Sequence, residues 1–350
     1  VIRLPVAGCY CSRPATFPFR GRPPTVPSQP PANPGQVRIG ARGSKLSLAQ
    51  AGHMQRRIAA ALGADPANPA EMEAVAPLTV ITTTGDRVQD RRLLEIGGKG
   101  LFTKEIEEAL IEGRIDCAIH SMKDVPAELP PGLCIAAIPE REDPRDAFLS
   151  RGPLTLEDLP QGARLGTASL RRQAQSLYRR PDLDVQMLRG NVDTRLAKLA
   201  AGEADAILLA YAGLRRLGFG DLPKSLIDPK EVPPAPGQGA LAIETREADR
   251  DLPWVAGLRC ETTTLCVTAE RGALVALEGS CKTPIGAHAW LDGGSLQLIV
   301  EALSPGGSAR FRHAGDTEIS QLSDPLGSAR DLGFSLGQAI KDEAGDTIVL

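Results

Sequence analysis

The chain has 350 residues, 42% of them hydrophobic and 24% charged, which is the composition of a globular protein of two or three domains and excludes disorder along its whole length. Its 40 Lys and Arg against 43 Asp and Glu leave a formal charge of -3, and aromatics are only 3%, so neither a basic surface nor a base-stacking platform points to nucleic acid. No apolar run approaches the roughly 20 residues of a membrane-spanning helix, and 7 cysteines without a CxxC pair fit reduced thiols in a cytosol-like compartment better than a disulfide scaffold or a zinc site.

Val1 to about Gln36 is rich in Pro and Arg, has no acidic residue, and is expected to be disordered and dispensable. Its character is compatible with an organelle transit peptide, but the Arg- and Ala-rich chain favours an upstream extension of a bacterial protein. From Val37 onward, strands are predicted at Val37–Ala41, Leu78–Thr82, Cys117–His120, Leu133–Ile138, Ala163–Gly166, Val185–Leu188, Ala206–Ala210 and Ala240–Glu244. Between them Leu48, Ala51, Met54 and Ile58 share one helical face, and Phe102, Ile106, Ala109 and Leu110 share another. Such alternation predicts α/β sheets flanked by helices. The charged run Pro139–Asp146 and the prolines of Pro233–Pro236 read as hinges between two lobes, the first built from 37–139 with 240–257 and the second from 145–233. Beyond about Glu261 come a helix around Cys266–Leu277, the loop Glu278–Pro284, strands including a hairpin of Leu296–Ala302 with Ala309–Arg312, and a last helix from about Asp324. Together they predict a smaller α+β domain over 262–350. No internal repeat is visible in the sequence.

Four loops share one design, in which a strand ends and a small polar residue opens a helix beside a basic side chain. They are Ala41-Arg42-Gly43-Ser44, His120–Asp124, Gly166–Arg172 and Arg189–Arg195, with Ser44, Ser169 and Asn191 as expected N-caps. Helix N-termini offer free N–H groups and the positive end of the dipole, strand ends line the ligand crevice of an open α/β sheet, and Arg grips carboxylates with two donors. Four such loops, with Arg42, Lys99, Arg171, Arg172, Arg189 and Arg195, predict a polyanionic ligand between the lobes, against the plainer reading of solvated arginines paired with nearby acids. Gly97-Gly98-Lys99-Gly100 lacks the Ser or Thr of a nucleotide-binding P-loop and reads as a basic loop over the cleft. Asp124 follows Lys123 at the end of a buried strand and reads equally as an acid at a helix start or as a charge that holds N–H donors and stabilises positive charge. Beside Cys281, Lys282 could help form a thiolate, although spacing alone favours an inert thiol.

The segments RIGARGSKLSLAQA, TTTGD, GGKGLFTKEIEEAL, DCAIHSMKDVP, REDPRDAFLS, GTASLRRQAQ, RGNVDTRLAKL, PAPGQGALAIE and ALEGSCKTPIGAHA occur in order from about Val37 to the C-terminus, and they resemble the porphobilinogen deaminase (hydroxymethylbilane synthase) family. The resemblance implies two periplasmic-binding-protein-like α/β lobes around a cleft and a third domain that carries a cysteine loop into it. It places a covalent dipyrromethane cofactor on Cys281 and the catalytic aspartate on Asp124. Carboxylate-binding basic residues fall on Arg42, Lys123, Arg171, Arg172, Arg189 and Arg195, and hydroxyl and amide contacts on Ser44, Ser121, Thr167, Ser169 and Gln238. The active-site loop falls on Asp86–Gly100, with Lys99 in it.

The implied activity is stepwise condensation of four porphobilinogen units with loss of ammonia, then hydrolytic release of hydroxymethylbilane for haem and tetrapyrrole biosynthesis. The partners implied are porphobilinogen and the growing oligopyrrole, with no metal, nucleic acid or membrane, in a cytoplasmic monomer; the plastid stroma applies if the extension is a transit peptide. Each pyrrole carries an acetate and a propionate, so the growing chain is the polyanion that the loops await. Glu95 stands where many bacterial members have Lys, and Asp193 adds an acid that should slightly weaken local anion attraction. The rival reading is a non-catalytic small-anion solute-binding module, against which the Cys281 loop argues.

Overall fold

The computed structural model describes residues 35–87, 102–278, 283–320 and 322–348. Lys99, Glu95 and Cys281, with nearly all of the N-terminal stretch set apart above, lie outside the described residues.

Strands β1 (Ile39–Arg42), β2 (Leu78–Ile81), β3 (Cys117–Ser121) and β4 (Leu133–Ala137) come from the first part of the chain. The second part supplies β5 (Asp146–Ser150), β6 (Arg164–Gly166), β7 (Asp184–Gln186), β8 (Ala206–Ala210) and the short β9 (Ser225–Leu226), and β10 (Leu241–Arg246) follows. They form two five-stranded sheets, ordered β2-β1-β3-β10-β4 and β7-β6-β8-β5-β9. The two orders are the same pattern. In each sheet three parallel strands joined by helical crossovers meet one antiparallel strand, β10 or β5, that arrives from the other lobe. A structural repeat is therefore present where the sequence showed none, because the pattern lies in strand pairing rather than in residue identity.

Apolar residues cover both faces of each sheet. Ile39, Met54 and Ile58 lie in the core on one side of the first sheet, and Ile106, Leu110 and Ile115 on the other. Leu149, Ile207 and Leu214 against Phe148, Leu165 and Leu208 do the same for the second. On the two predicted faces Ala51, Met54 and Ile58 are buried with Leu48 half-buried, and Ile106, Ala109 and Leu110 are buried with Phe102 half-buried. No described helix is long and apolar enough to cross a membrane.

The predicted strands are present, with one correction at the first hinge. Asp146 is not part of that linker but opens β5, a strand absent from the sequence reading. The charged run before it hid a three-residue apolar core, Ala147-Phe148-Leu149, which is too short to show a period. The linkers around 138–145 and 227–240 are the two crossings between sheets.

The third part is α+β. Strands β11 (Ile285–Asp292), β12 (Ser295–Leu303) and β13 (Arg310–Glu318) form an antiparallel sheet in sequence order. Helices Glu261–Ala276 and Pro325–Ala344 pack on it and on each other. They approach so closely that a Cβ at Gly333 would land on the carbonyl oxygen of Ala269.

One carboxylate ties this part to both crossings. Glu270, wholly buried in the helix Glu261–Ala276, accepts hydrogen bonds from Arg141 Nη1 at 2.7 Å and Nη2 at 3.0 Å in the first crossing. It also accepts from the Gly237 amide of the second crossing at 2.7 Å and from the Ala289 amide of β11 at 2.9 Å. Glu270→Ala would leave a mostly buried guanidinium and two amides without their acceptor. We expect it to destabilise the protein by about 3–5 kcal/mol, read from denaturant unfolding; a loss under about 1 kcal/mol would mean that the crossings are held by other contacts.

Candidate active site

The four loops picked out in the sequence are linked to one another by Lys45 with Asp193, by Gln50 with Ser121, and by Lys123 and Arg172 at Gln238. Ser44 and Ser169 cap their helices as expected, accepting from the amides of Ser47 at 3.2 Å and Arg172 at 3.4 Å. Asn191 occupies the cap position of its helix, but its side chain makes no capping bond. Across the gap Lys45 Nζ pairs with Asp193 Oδ2 at 2.7 Å, so Asp193 joins the lobes. The pair is exposed and contributes at most about 1 kcal/mol.

β3 ends in a single 3-10 turn, Met122–Asp124. Met122 is completely buried, and its amide donates to the Ala240 carbonyl at 3.0 Å. This anchor leaves Lys123 and Asp124 exposed at the strand end. The Ser121 hydroxyl beside them accepts from Gln50 Nε2 at 3.0 Å.

Two cations from different lobes approach one oxygen, since Lys123 Nζ and Arg172 Nη2 each lie 3.4 Å from Gln238 Oε1. Although the Lys123 side chain is open to solvent, the dense walls around its ammonium, and next the charge of Arg172, lower it to about 8. Arg195 behaves alike: desolvation first, then Arg172 and Arg189, lower it to about 10. Its Nε donates to the Gly190 carbonyl at 2.9 Å.

Other expected contacts are engaged within the protein. Arg42 forks onto Asp86, with Nη2–Oδ1 at 2.5 Å, and its guanidinium stacks 4.0 Å from the centre of the Phe102 ring. Thr167 is buried, its hydroxyl accepting from the Ser169 amide at 3.2 Å. Arg171 and Arg172 are both 5% exposed and both bind Asp146, at 2.8 Å each. Gln238 has no exposed surface; its Nε2 donates to Asp146 Oδ1 at 2.8 Å and to the Pro144 carbonyl at 2.7 Å, so in this structure it joins the crossings rather than lining the cleft. Arg189 is half-buried.

Sequence reasoning missed Asp146, which lay within a quoted segment but was read as linker. The available signal for Asp146 was an acid placed at the head of an apolar strand, a position that needs a buried counter-charge.

The arrangement is suited to holding several carboxylates beside one open carboxylate, that of Asp124. Comparison with known proteins gives the same direction. Residues 37–253 match the family model described as "Porphobilinogen deaminase, dipyromethane cofactor binding domain", and residues 264–342 match "Porphobilinogen deaminase, C-terminal domain". A porphobilinogen deaminase of Phenylobacterium zucineum is 77% identical over 325 residues, covering 93% of this chain and all of that protein. One from a Caulobacter species is 67% identical over 314 residues, covering 90% of this chain and 98% of the relative. Among solved structures, a periplasmic substrate-binding protein of an ABC transporter from Coxiella burnetii aligns with a TM-score of 0.39 at 12% identity, over 65% of this chain and 94% of that one.

Proposed function

The chain belongs to the porphobilinogen deaminase family, and from that premise we propose which of its residues bind, hold and react. It is a transferase of tetrapyrrole biosynthesis that acts on porphobilinogen and uses a dipyrromethane cofactor. Family membership leaves the solute-binding reading without support.

The observation that carries our assignment is the convergence of Lys123 and Arg172 on one oxygen, with Arg195 close enough to Arg172 and Arg189 to be lowered by both. Positive charge gathered in this way is relieved by a polycarboxylate. The buried Nε of Arg171, which has no acceptor among the described residues, supports the same fit. When bound, the dipyrromethane supplies the carbon nucleophile to which pyrrole units are added. Lys123, Arg171, Arg172, Arg189 and Arg195 bind acetate and propionate groups. Arg42 binds them from the same lobe as Lys123, where Asp86 and Phe102 hold its fork flat. Asp124, fixed by the turn under it, accepts pyrrole N–H groups and stabilises the positive charge that develops as porphobilinogen loses ammonia. Cys281 holds the cofactor as a thioether, and Lys99 adds a cation to the site. We take 37–139 with 240–257, 145–233 and 262–350 as the three folding units, and the protein as a cytoplasmic bacterial monomer.

The pH dependence of binding tests this reading. Lys123 is charged below about 8 and neutral above it. Affinity for a dicarboxylate substrate should therefore fall as pH rises through that value. We expect KM for porphobilinogen, followed by ammonia release, to climb above about pH 8. Lys123→Met should raise KM about tenfold at pH 7, or about 1.4 kcal/mol, and flatten that limb. A KM that is constant from pH 7 to 9.5, or the same limb in Lys123→Met, would remove Lys123 from the site.

A further inference from the structure

We propose that Asp146 is a positioning residue for the carboxylate-binding arginines, a single buried acid that fixes two guanidinium forks and leaves their excess positive charge for the ligand. The inference rests on the reading of Arg171 and Arg172 given above. Asp146 opens β5 at the exit of the first crossing, 4% exposed, and its backbone is held by Ala210 of β8 and by the Ile227 amide at 2.9 Å. Its Oδ2 accepts from Arg171 Nη1 at 2.8 Å. Its Oδ1 accepts from Arg172 Nη2 at 2.8 Å, Arg172 Nε at 3.2 Å and Gln238 Nε2 at 2.8 Å. Burial pushes this carboxyl up, but the charges of Arg171 and Arg172 more than offset that and hold it well below the usual carboxylate range. It therefore stays ionised at any pH at which the protein works.

The balance of charge distinguishes this cluster from an ordinary structural one. At the other end of β3, Asp116 also binds two arginines, Arg38 at 2.7 Å and Arg246 at 3.1 Å. There Asp249 adds a second carboxylate on Arg246 at 2.7 Å, so two acids meet two bases. At Asp146 one acid meets two bases, with Lys123 a third cation beyond Gln238. Of the further acids, exposed Asp124 lies beside Lys123 at the open end of the cluster, and Glu301 faces Arg171 across Gln175 but is itself bound by Arg310 at 2.6 Å and Arg312 at 3.3 Å. Asp146 thus makes burial of Arg171 and Arg172 tolerable without cancelling them, and both arginines are pre-aimed before a ligand arrives.

The test compares full-length Asp146→Asn, Asp146→Glu, Asp116→Asn, Arg171→Leu and Arg172→Leu. Each is followed by intact mass, reading the fraction that carries two linked pyrroles as purified and its growth on incubation with porphobilinogen, alongside thermal melting. Asp146→Asn and Asp116→Asn should both melt lower than wild type, because each strips a carboxylate from buried arginines. Only Asp146→Asn should load slowly, by tenfold or more. Asp146→Glu keeps the charge, and with it the fold, but moves the acceptor by one carbon; it should load at an intermediate rate, which keeps the question answerable if the Asn variant does not fold. Wild-type loading by both Asp146 variants, or equal slowing in Asp116→Asn, overturns the positioning role. Normal loading by both arginine variants overturns the reading beneath it, whereas slow arginine variants beside a normally loading Asp146→Asn overturn only the role of Asp146.

Discussion

Asp124→Asn is expected to keep its fold and its cofactor mass while kcat falls by three or more orders of magnitude. Among the described residues no hydrogen bond or ion pair ties this side chain to the fold. It is exposed, while the turn under it is held by buried Met122, by the Met122 amide on Ala240 and by the Val125 amide on the Met122 carbonyl at 3.1 Å. Asn has nearly the same shape and removes the charge. A fixed carboxylate facing a developing positive charge needs no reorganisation as the reaction proceeds, and losing one such group costs about 3–4 kcal/mol, or roughly 150- to 900-fold. Asn also presents a donor where pyrrole N–H groups need an acceptor, which adds to the loss. Steady-state ammonia release, with intact mass to confirm that the cofactor is present, measures this. Activity within about tenfold of the parent protein would show that the reacting centre lies elsewhere.

Cys281→Ser should carry no pyrrole mass and show no measurable turnover. The described cysteines are poor alternatives as attachment points. Cys117 and Cys266 are buried; burial, then Asp116, pushes the first thiol up, and burial, then Glu270, pushes the second to about 12. Cys134 is buried as well, and Cys260 is half-buried with its sulfur accepting from the Thr263 hydroxyl at 3.3 Å. Cys117 and Cys266 thus hold little of the thiolate that reacts fastest with an electrophile. Without a covalent anchor, the arginines alone would have to retain the oligopyrrole through every addition, and the effective concentration that a tether provides would be lost. An adduct that persists in Cys281→Ser would place the attachment on another residue.

Much of the fold could be read from neighbours along the chain. The buried stripe of Ala51, Met54 and Ile58, the caps at Ser44 and Ser169 and most strands depend on contacts within a few residues, so periodicity and polar punctuation reveal them. The basic loops were legible for the same reason, each being a strand end followed by a helix start. The motifs also carried the family, and the roles proposed for Asp124 and Cys281 rest on that resemblance.

What sequence could not show is how those charges are shared. Arg171 and Arg172 meet Asp146 from 25 and 26 residues away, Gln238 meets it from 92, and Arg141 meets Glu270 from 129. None of these partners can be read from spacing, because a charge looks the same in sequence whether it faces water, a ligand or a buried acid. Each is decided by the two chain crossings that place β5 and β10 in the sheets. Burial makes an unpaired charge costly, so once tertiary packing had closed over Arg171 and Arg172 they required Asp146. Local pattern thus determined which residues form the strands, helices and basic loops, and long-range packing decided which of those cations are bound internally and which remain open to a ligand.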